Sequence, residues 1–230
     1  MGDKQSTKQM STLKIAGFLA LPAAALLASL AFADSRNTFP DPVVDQTKSA
    51  AHGKETAVVA GGCFWGVEAV FDHLKGVTDV VSGFSGGEKS TAHYEIVSTG
   101  RTGHAESVKI TYDPSQITYG EILKVYFAVA HDPTEVNRQG PDTGTQYRSA
   151  VFYADDEQKK IAEAYIQQLD AAKVFSRPIA TQVVPLKGFY AAEAYHQKYL
   201  QNNPTNPYIV YNDLPKLAAL KKQYPAMCRR

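Results

Sequence analysis

Hydrophobic positions along the chain follow two spacings, one typical of strands and one typical of helices. Short runs rich in β-branched and aromatic residues predict five strands, at 56–60, 79–84, 107–112, 148–154 and 179–185. Apolar residues recurring every three or four positions predict four helices, at 64–75, 119–130, 156–172 and 189–201. Because such helices must bury their apolar stripes against a sheet, we expect an α+β two-layer sandwich, a mixed β-sheet with helices packed on it around a ferredoxin-like core.

The first predicted strand and helix meet at a cysteine. Gly61 and Gly62 end the apolar run TAVVA. Helical spacing of apolar residues begins after them and ends at Gly76. Cys63 is therefore expected at a strand-to-helix turn, at the N-terminus of the helix. Free N–H groups and the helix dipole favour an anion there, so we expect a lowered thiol pKa and a thiolate at neutral pH.

Two large aromatic residues follow the cysteine directly. Phe64 and Trp65 could both be ordinary core residues. Adjacent side chains on a turn point in different directions, however, which makes it hard to bury both inward. We interpret them as an apolar rim around the Cys63 sulfur.

The N-terminus has the pattern of a targeting segment. Three lysines precede the uncharged run IAGFLALPAAALLASLAFA, whose small-x-small end precedes Asp34. We predict a signal peptide over residues 1–33 and an exported, periplasmic protein that has no membrane attachment after cleavage. An uncleaved anchor helix is the alternative, since the run is long enough to span a bilayer. The polar, Pro-containing residues 34–53 are predicted to be a linker, which leaves a domain with a C-terminal tail at 54–230.

Charge excludes one class of partner. The chain has 230 residues, with 24 Lys and Arg against 23 Asp and Glu. Loss of three Lys and one Asp with the signal peptide leaves 21 basic and 22 acidic residues, a net charge of −1. Without a basic block, nothing indicates a nucleic-acid surface.

The chain contains two cysteines, Cys63 and Cys228. A helix predicted from Leu214 to Tyr224 precedes the second, which lies near a chain end that we expect to be frayed. A disulfide between Cys63 and a frayed tail would be a poor structural staple, but it could form and break during turnover. In that case Cys228 would react with oxidised Cys63 as the resolving cysteine. A structural bridge, or an idle thiol on the tail, is the alternative.

Two further stretches are rich in chemistry-bearing side chains. His104 and Glu106 precede an alternating strand, although a carboxylate at a strand start is more often simply solvated. Asp142 lies in a Gly- and Pro-containing loop, and Tyr147 leads into a strand. A cysteine hydrolase would use a histidine base such as His104, whereas chemistry that protonates a leaving oxygen would use Glu106.

Four segments of the chain resemble type A peptide methionine sulfoxide reductases: GGCFWGVEAVF, TGHAESVKITYDP, HDPTEVNRQGPDTGTQYRSAVFY and AEAYHQKYL. The resemblance covers roughly residues 55–225 and implies an α+β fold in agreement with the one predicted. It implies these site residues: Cys63 as catalytic cysteine, Phe64 and Trp65 as the methyl pocket, Glu106 as acid, Tyr94 and Tyr147 as oxygen-binding tyrosines, and Asp142 as the loop aspartate.

The resemblance also implies a reaction. The Cys63 sulfur would attack the sulfur of methionine S-sulfoxide, free or in proteins, release methionine and become a sulfenic acid, which repairs oxidised proteins. It implies no metal and no bound cofactor, but an external thioredoxin-like thiol reductant. A tail unlike the Gly-rich recycling tails makes the resolving role of Cys228 unsafe to transfer, and Phe84 replaces a frequent tyrosine outside the catalytic set. A thiol peroxidase, a cysteine hydrolase using His104 or His196, and a non-catalytic binder remain competing hypotheses.

Overall fold

Two β-sheets organise the computed structural model, which describes residues 39–229. Their strands are β1 (Glu55–Gly61), β2 (Val77–Ser85), β3 (Ala105–Tyr112), β4 (Arg138–Gln139), β5 (Asp142–Thr143), β6 (Ser149–Tyr153), β7 (Gln182–Pro185) and β8 (Phe189–Ala191). Six strands form one sheet in the order β7-β6-β1-β3-β2-β8, and β4 pairs with β5 as a separate ribbon. The β6–β7 pair is parallel and the other pairs are antiparallel, so the sheet is mixed, as predicted.

Helices connect and cover these strands. They are α1 (Phe64–Asp72), α2 (Tyr94–Val97), α3 (Tyr119–Val125), α4 (Asp156–Ala171), α5 (Tyr199–Asn202) and α6 (Leu214–Gln223). A π-helical turn over Tyr126–Ala130 continues α3, and another over Ile209–Asp213 leads into α6. Among residues 39–229, no helix is both long and apolar enough to cross a bilayer.

The core lies mainly between the sheet and the helices. Along β1, Ala57 and Val59 belong to the large cluster that includes α1, α3, α4 and α6, whereas Val58 and Ala60 belong to a small cluster on the opposite face. This separation follows from the two-residue period of a strand. One sheet face therefore carries the helical layer, which confirms the predicted α+β two-layer arrangement.

The helix predicted at 189–201 is wrong. Residues Phe189–Ala191 form β8, which pairs with the edge of β2, and a helical conformation resumes only in the short turn Ala194–His196 and in α5. The spacing of apolar residues is a local signal, and the open edge of β2 overrides it by offering backbone hydrogen-bond partners.

The segment predicted as a linker is docked on the domain where the structure describes it. Residues 39–53 contain no helix or strand, but Asp45 Oδ1 accepts a hydrogen bond from Gly120 N at 2.8 Å in the first turn of α3. Tyr165 OH donates to Pro40 O at 2.6 Å, and the ring of Phe39 packs on Phe175. Polar composition predicted a linker, and hydrogen bonds and an aromatic contact hold residues 39–53 of it on the domain. The predicted signal peptide, residues 1–33, lies outside the described residues.

The C-terminal tail is also docked, contrary to the expectation of a frayed end. Helix α6 confirms the tail helix predicted from Leu214 to Tyr224, and it buries Leu217 and Leu220. Beyond it, Cys228 forms an isolated antiparallel bridge with Leu74, just past the end of α1. Arg229 N donates to His73 O at 2.8 Å, a carbonyl that the end of α1 leaves free, and Lys75 N donates to Met227 O at 2.8 Å.

Candidate active site

Two glycines place Cys63 between β1 and α1. Gly62 has φ +87°, and a Cβ on it would lie 2.5 Å from the side chain of Gln139 in β4. A Cβ on Gly61 would lie 2.9 Å from the ring of His131. The chain can therefore turn sharply and still let its neighbours approach, and Cys63 becomes the N-cap residue of α1, as predicted.

A cavity of about 290 Å³ opens beside Cys63 and gathers the predicted site residues. It is lined by Cys63, Phe64, Trp65, Tyr94, Glu106, Asp142 and Tyr147, together with Asn206 and Tyr208. These residues come from α1, α2, β3, β5, the turn before β6 and the segment before α6. The structure thus brings together seven predicted side chains from segments that are far apart in sequence.

The Cys63 sulfur is more weakly acidic than its position suggested. Cys63 is only 7% exposed, and its burial is the main reason that the pKa of its thiol is raised well above the ordinary value. Negative charge on Glu106 and Asp213 raises it further. The backbone N–H of Trp65 and the Lys216 ammonium act in the opposite direction. The prediction of a thiolate at neutral pH is therefore corrected: the helix N-terminus is outweighed by desolvation and nearby acids.

Glu106 is a buried acid rather than a solvated carboxylate. It is 2% exposed on the helix-facing side of β3, and its Oε2 accepts a hydrogen bond from Phe64 N at 3.1 Å. Burial raises the pKa of the carboxyl to about 8, and charge on Asp142 and Asp213 adds to the increase. Glu106 therefore holds a proton at neutral pH, and because Oε2 accepts the backbone N–H, Oε1 is the oxygen suited to carry it.

The two aromatic residues after Cys63 have different surroundings. Phe64 is buried, with its ring 5.8 Å from Phe84, whereas Trp65 is half-buried at the cavity wall. Trp65 stacks on Tyr199 with ring centroids 3.8 Å apart and donates from Nε1 to His196 Nδ1 at 3.2 Å. Both rings line the cavity, so the predicted apolar wall exists, and Trp65 is held in a fixed orientation.

Three hydroxyl groups face the same cavity. Burial and the charge of Glu106 raise the pKa of Tyr94 to about 12, and the same two causes raise the pKa of Tyr147. Tyr208 donates a short hydrogen bond to Asp142 Oδ2. Tyr94 and Tyr147 therefore stay protonated and are available as hydrogen-bond donors.

Sequence reasoning missed Asn206, Tyr208, Asp213 and Lys216. They belong to the stretch NPTNPYIVYNDLPK, which runs into the first turn of the tail helix and carries no motif that pointed to the site. Their proximity to Cys63 depends on how α6 packs on α1. Asn-Pro pairs are typical of turns, but no local signal could have shown that this segment forms part of the cavity wall.

The histidines that a hydrolase would need do not line the cavity. His104 Nδ1 accepts from Gly87 N at 3.2 Å, and its Nε2 lies 3.0 Å from Glu88 O, so both ring nitrogens are engaged. His196 packs behind the cavity wall: its Nδ1 accepts from Trp65 Nε1, and its ring lies 5.1 Å from that of Phe64 and 4.2 Å from that of Tyr94. Because neither imidazole is positioned to take the Cys63 proton, the geometry disfavours a cysteine–histidine hydrolase.

Cys228 lies at the far end of α1 from Cys63. The helix spans nine residues, Phe64–Asp72, and Cys228 is bridged to Leu74 beyond it. At 1.5 Å per residue this separates the cysteines by about 15 Å along the helix. A disulfide requires Cα atoms within about 7 Å. Both thiols are free and buried, and joining them would require the tail to leave its docked position.

Comparison with known proteins agrees with this arrangement. The sequence profile described as "Peptide methionine sulfoxide reductase" matches residues 55–227. A relative named peptide methionine sulfoxide reductase MsrA 2, from Mesorhizobium japonicum, is 62% identical over 180 residues, which is 78% of this chain and 92% of the relative. A relative of the same name from Synechocystis is 54% identical over 187 residues, which is 80% of this chain and 87% of the relative.

Two solved structures resemble the fold. Mxr1 from Saccharomyces cerevisiae in reduced form has a TM-score of 0.60 and 35% identity, and the match covers 70% of this chain and 91% of Mxr1. Methionine sulfoxide reductase A of Corynebacterium diphtheriae has a TM-score of 0.58 and 39% identity, and the match covers 74% of this chain and 84% of that protein. With its cysteine, buried acid and aromatic wall in one cavity, the chain belongs to the peptide methionine sulfoxide reductase family.

Proposed function

We propose that this protein reduces methionine S-sulfoxide, free or in oxidised proteins, to methionine, and so repairs oxidative damage. The observation that carries the proposal is a cavity that holds a buried cysteine sulfur and a carboxyl group that is protonated at neutral pH. A nucleophile and an acid side by side are what reduction of an S–O bond needs, because the oxygen leaves easily only after it gains a proton.

The cavity suits the two halves of the substrate group. The S-methyl and the adjacent methylene are apolar, and the rings of Phe64 and Trp65 provide a wall for them. The oxygen carries negative charge, and the hydroxyls of Tyr94 and Tyr147 can donate hydrogen bonds to it. These donors gain strength as charge develops on the oxygen in a site with little water. The aromatic wall therefore binds the methyl and methylene groups, and the hydroxyls orient the sulfoxide oxygen.

The chemical step transfers one oxygen from the substrate sulfur to the Cys63 sulfur. Glu106 gives its proton to the sulfoxide oxygen, and the Cys63 sulfur attacks the substrate sulfur. The attack forms an S–S bond. This bond and the S–O bond of the substrate then break as the protonated oxygen passes to Cys63, so that methionine leaves and Cys63 becomes a sulfenic acid. The proton of the Cys63 thiol restores Glu106. Methionine sulfur is reduced by two electrons and the cysteine sulfur is oxidised by two.

Regeneration needs two thiols. They convert the Cys63 sulfenic acid to the thiol, become a disulfide and release water. We propose a thioredoxin-like protein as the source, on the basis of the family resemblance. If Cys228 supplies one of the thiols, the hydrogen bonds that dock residues 226–229 on residues 73–75, just after α1, must break in each turnover.

We also propose that the protein is exported and acts in the periplasm. The support is the charge and hydropathy pattern of residues 1–33. Mass spectrometry of the protein from a periplasmic extract tests this: a mature N-terminus at Asp34 is expected. A chain that keeps Met1 and stays with the membrane fraction would show the anchor alternative instead.

The activity itself is tested with dabsyl-methionine sulfoxide and dithiothreitol. The wild type is expected to produce the sulfide from the S epimer and not from the R epimer. Cys63→Ser is expected to show none, because a serine hydroxyl is a far weaker nucleophile, while Cys228→Ser should keep the first turnover. Sulfide formation by Cys63→Ser would remove Cys63 from the reaction, and no turnover by the wild type with either epimer would overturn the function.

A further inference from the structure

An ion pair from the tail helix lies beneath the first turn of α1. Asp213 is 1% exposed, at the start of α6, and Lys216 follows one turn later with its Nζ 3.2 Å from Asp213 Oδ1. The Lys216 side chain is 19% exposed. A carboxylate this deeply buried is stable in its charged form only beside a cation, so the two side chains act as a unit.

Gly66 shows how closely this pair approaches the nucleophile. Gly66 is the third residue after Cys63, in the same helical turn. A Cβ at Gly66 would lie 2.1 Å from Asp213 Oδ1 and 3.0 Å from Lys216 Nζ. The glycine of the GCFWG motif thus lets the ion pair rest directly on the backbone turn that Cys63 caps.

The other titratable groups that face Cys63 are mostly carboxyl and phenol groups. Glu106 faces it from β3, and Asp142 lies across the cavity in β5. Three tyrosine hydroxyls line the same space: Tyr94, Tyr147 and Tyr208. His131 is buried nearby against Gly61, and its pKa is lowered to about 3, mainly by burial, so it carries no charge at neutral pH. Lys216 is therefore the cation that opposes these acids at the sulfur.

We propose that the Asp213–Lys216 pair is a charge-balancing element that sets how readily the Cys63 sulfur becomes the attacking anion, with its two members acting in opposite directions. Lys216 stabilises the anion, and Asp213 opposes it while holding Lys216 in place. The pKa of the Cys63 thiol responds to the two residues in these opposite directions: Asp213 raises it and Lys216 lowers it. The importance of this balance for catalysis rests on the proposed function.

The rate of Cys63 alkylation tests the pair without any sulfoxide. The protein is treated with iodoacetamide at pH 7, and the modified Cys63 and Cys228 peptides are quantified separately by mass spectrometry. Lys216→Met is expected to slow Cys63 alkylation, and Asp213→Asn is expected to accelerate it. Each change is expected to be about tenfold, the effect of displacing the thiol pKa by one. Because the iodoacetamide reaction needs no substrate, a failed sulfoxide assay leaves this result intact.

Matched variants separate charge from folding. Lys216→Arg should keep the wild-type rate, and Lys222→Met, on the exposed side of α6, should leave it unchanged. The double variant Asp213→Asn/Lys216→Met, with a neutral pair, should lie between the single variants. Cys228 alkylation should be equal in all of them, since the ion pair lies at the other end of α1.

The sign of the two effects decides the outcome. Slower alkylation in Lys216→Met and faster alkylation in Asp213→Asn supports the proposal. If both variants are slower, the pair is only a packing element, and if neither differs from the wild type, its charge does not reach the sulfur; either result overturns the proposal. Should Lys216→Met fail to fold, the near-isosteric Asp213→Asn still gives a decisive sign.

Discussion

Replacement of Glu106 by Gln removes the acid while keeping the shape of the side chain. At its pKa of about 8, raised chiefly by burial, the carboxyl is protonated in about nine molecules of ten at pH 7. With the ordinary value of 4.5 it would be protonated in about three of a thousand. Burial therefore makes the acid form about 300 times more abundant. General acid catalysis contributes about 10²–10⁴-fold, so Glu106→Gln is expected to slow sulfenic acid formation by that factor at pH 7.

The assay is a single turnover that isolates the chemical step from regeneration. Reduced protein is mixed with methionine S-sulfoxide, and the loss of the Cys63 thiol is followed with time from pH 5 to pH 9. The ratio of the wild-type to the Glu106→Gln rate constant should fall above about pH 8, where Glu106 loses its proton, because ionisation of Cys63 affects both proteins alike. The ratio should also narrow at low pH, where solvent supplies protons to the variant. Glu95→Gln, an exposed change beside Tyr94, is the control.

The same raised pKa predicts a change in stability. Since the folded-state pKa exceeds the unfolded value, the contribution of Glu106 is fully present below about pH 4.5 and is lost as the pH rises through 8. Glu106→Gln escapes this loss. Its free energy of unfolding, relative to the wild type, should therefore rise by about 4 kcal/mol between pH 5 and pH 9 in urea titrations. Equal single-turnover rates at pH 7, or parallel stability curves for the two proteins, would refute the assignment of Glu106 as a buried acid.

Two substitutions and one oxidation experiment test the wall, the glycine and the tail. Trp65→Ala should weaken transition-state binding by about 1–3 kcal/mol, seen as a lower kcat/KM; normal kinetics in a folded protein would make Trp65 a core residue only. Gly66→Ala should lower the free energy of unfolding by about 1–3 kcal/mol in urea titrations, because the new Cβ would lie 2.1 Å from Asp213 Oδ1. An unchanged free energy would show that α6 moves aside at little cost and that the contact is not tight. After oxidation with one equivalent of methionine sulfoxide, a Cys63–Cys228 disulfide in peptide maps is expected if the tail resolves, whereas a lasting sulfenic acid with Cys228 free would contradict that role.

The sequence by itself determined the features that depend on local chemistry. The apolar run before Gly61, the two glycines and the helical spacing after them required a strand, a turn and a helix, which put Cys63 at the N-cap. Short β-branched and aromatic runs located five of the six strands of the main sheet, and together with the helical spacing they gave the α+β class. The family motifs selected seven side chains that the structure gathers around one cavity.

Tertiary structure decided everything that depends on what each group packs against. Glu106 looked like a solvated carboxylate, and only the helical layer over β3 buries it and raises its pKa. Cys63 looked like a ready thiolate, yet burial and neighbouring acids outweigh the helix N-terminus. Likewise β8 exists because β2 offers an open edge, and Cys228 is held by groups that the end of α1 leaves free. Desolvation and long-range pairing act between residues far apart in the chain, so no local pattern can reveal them.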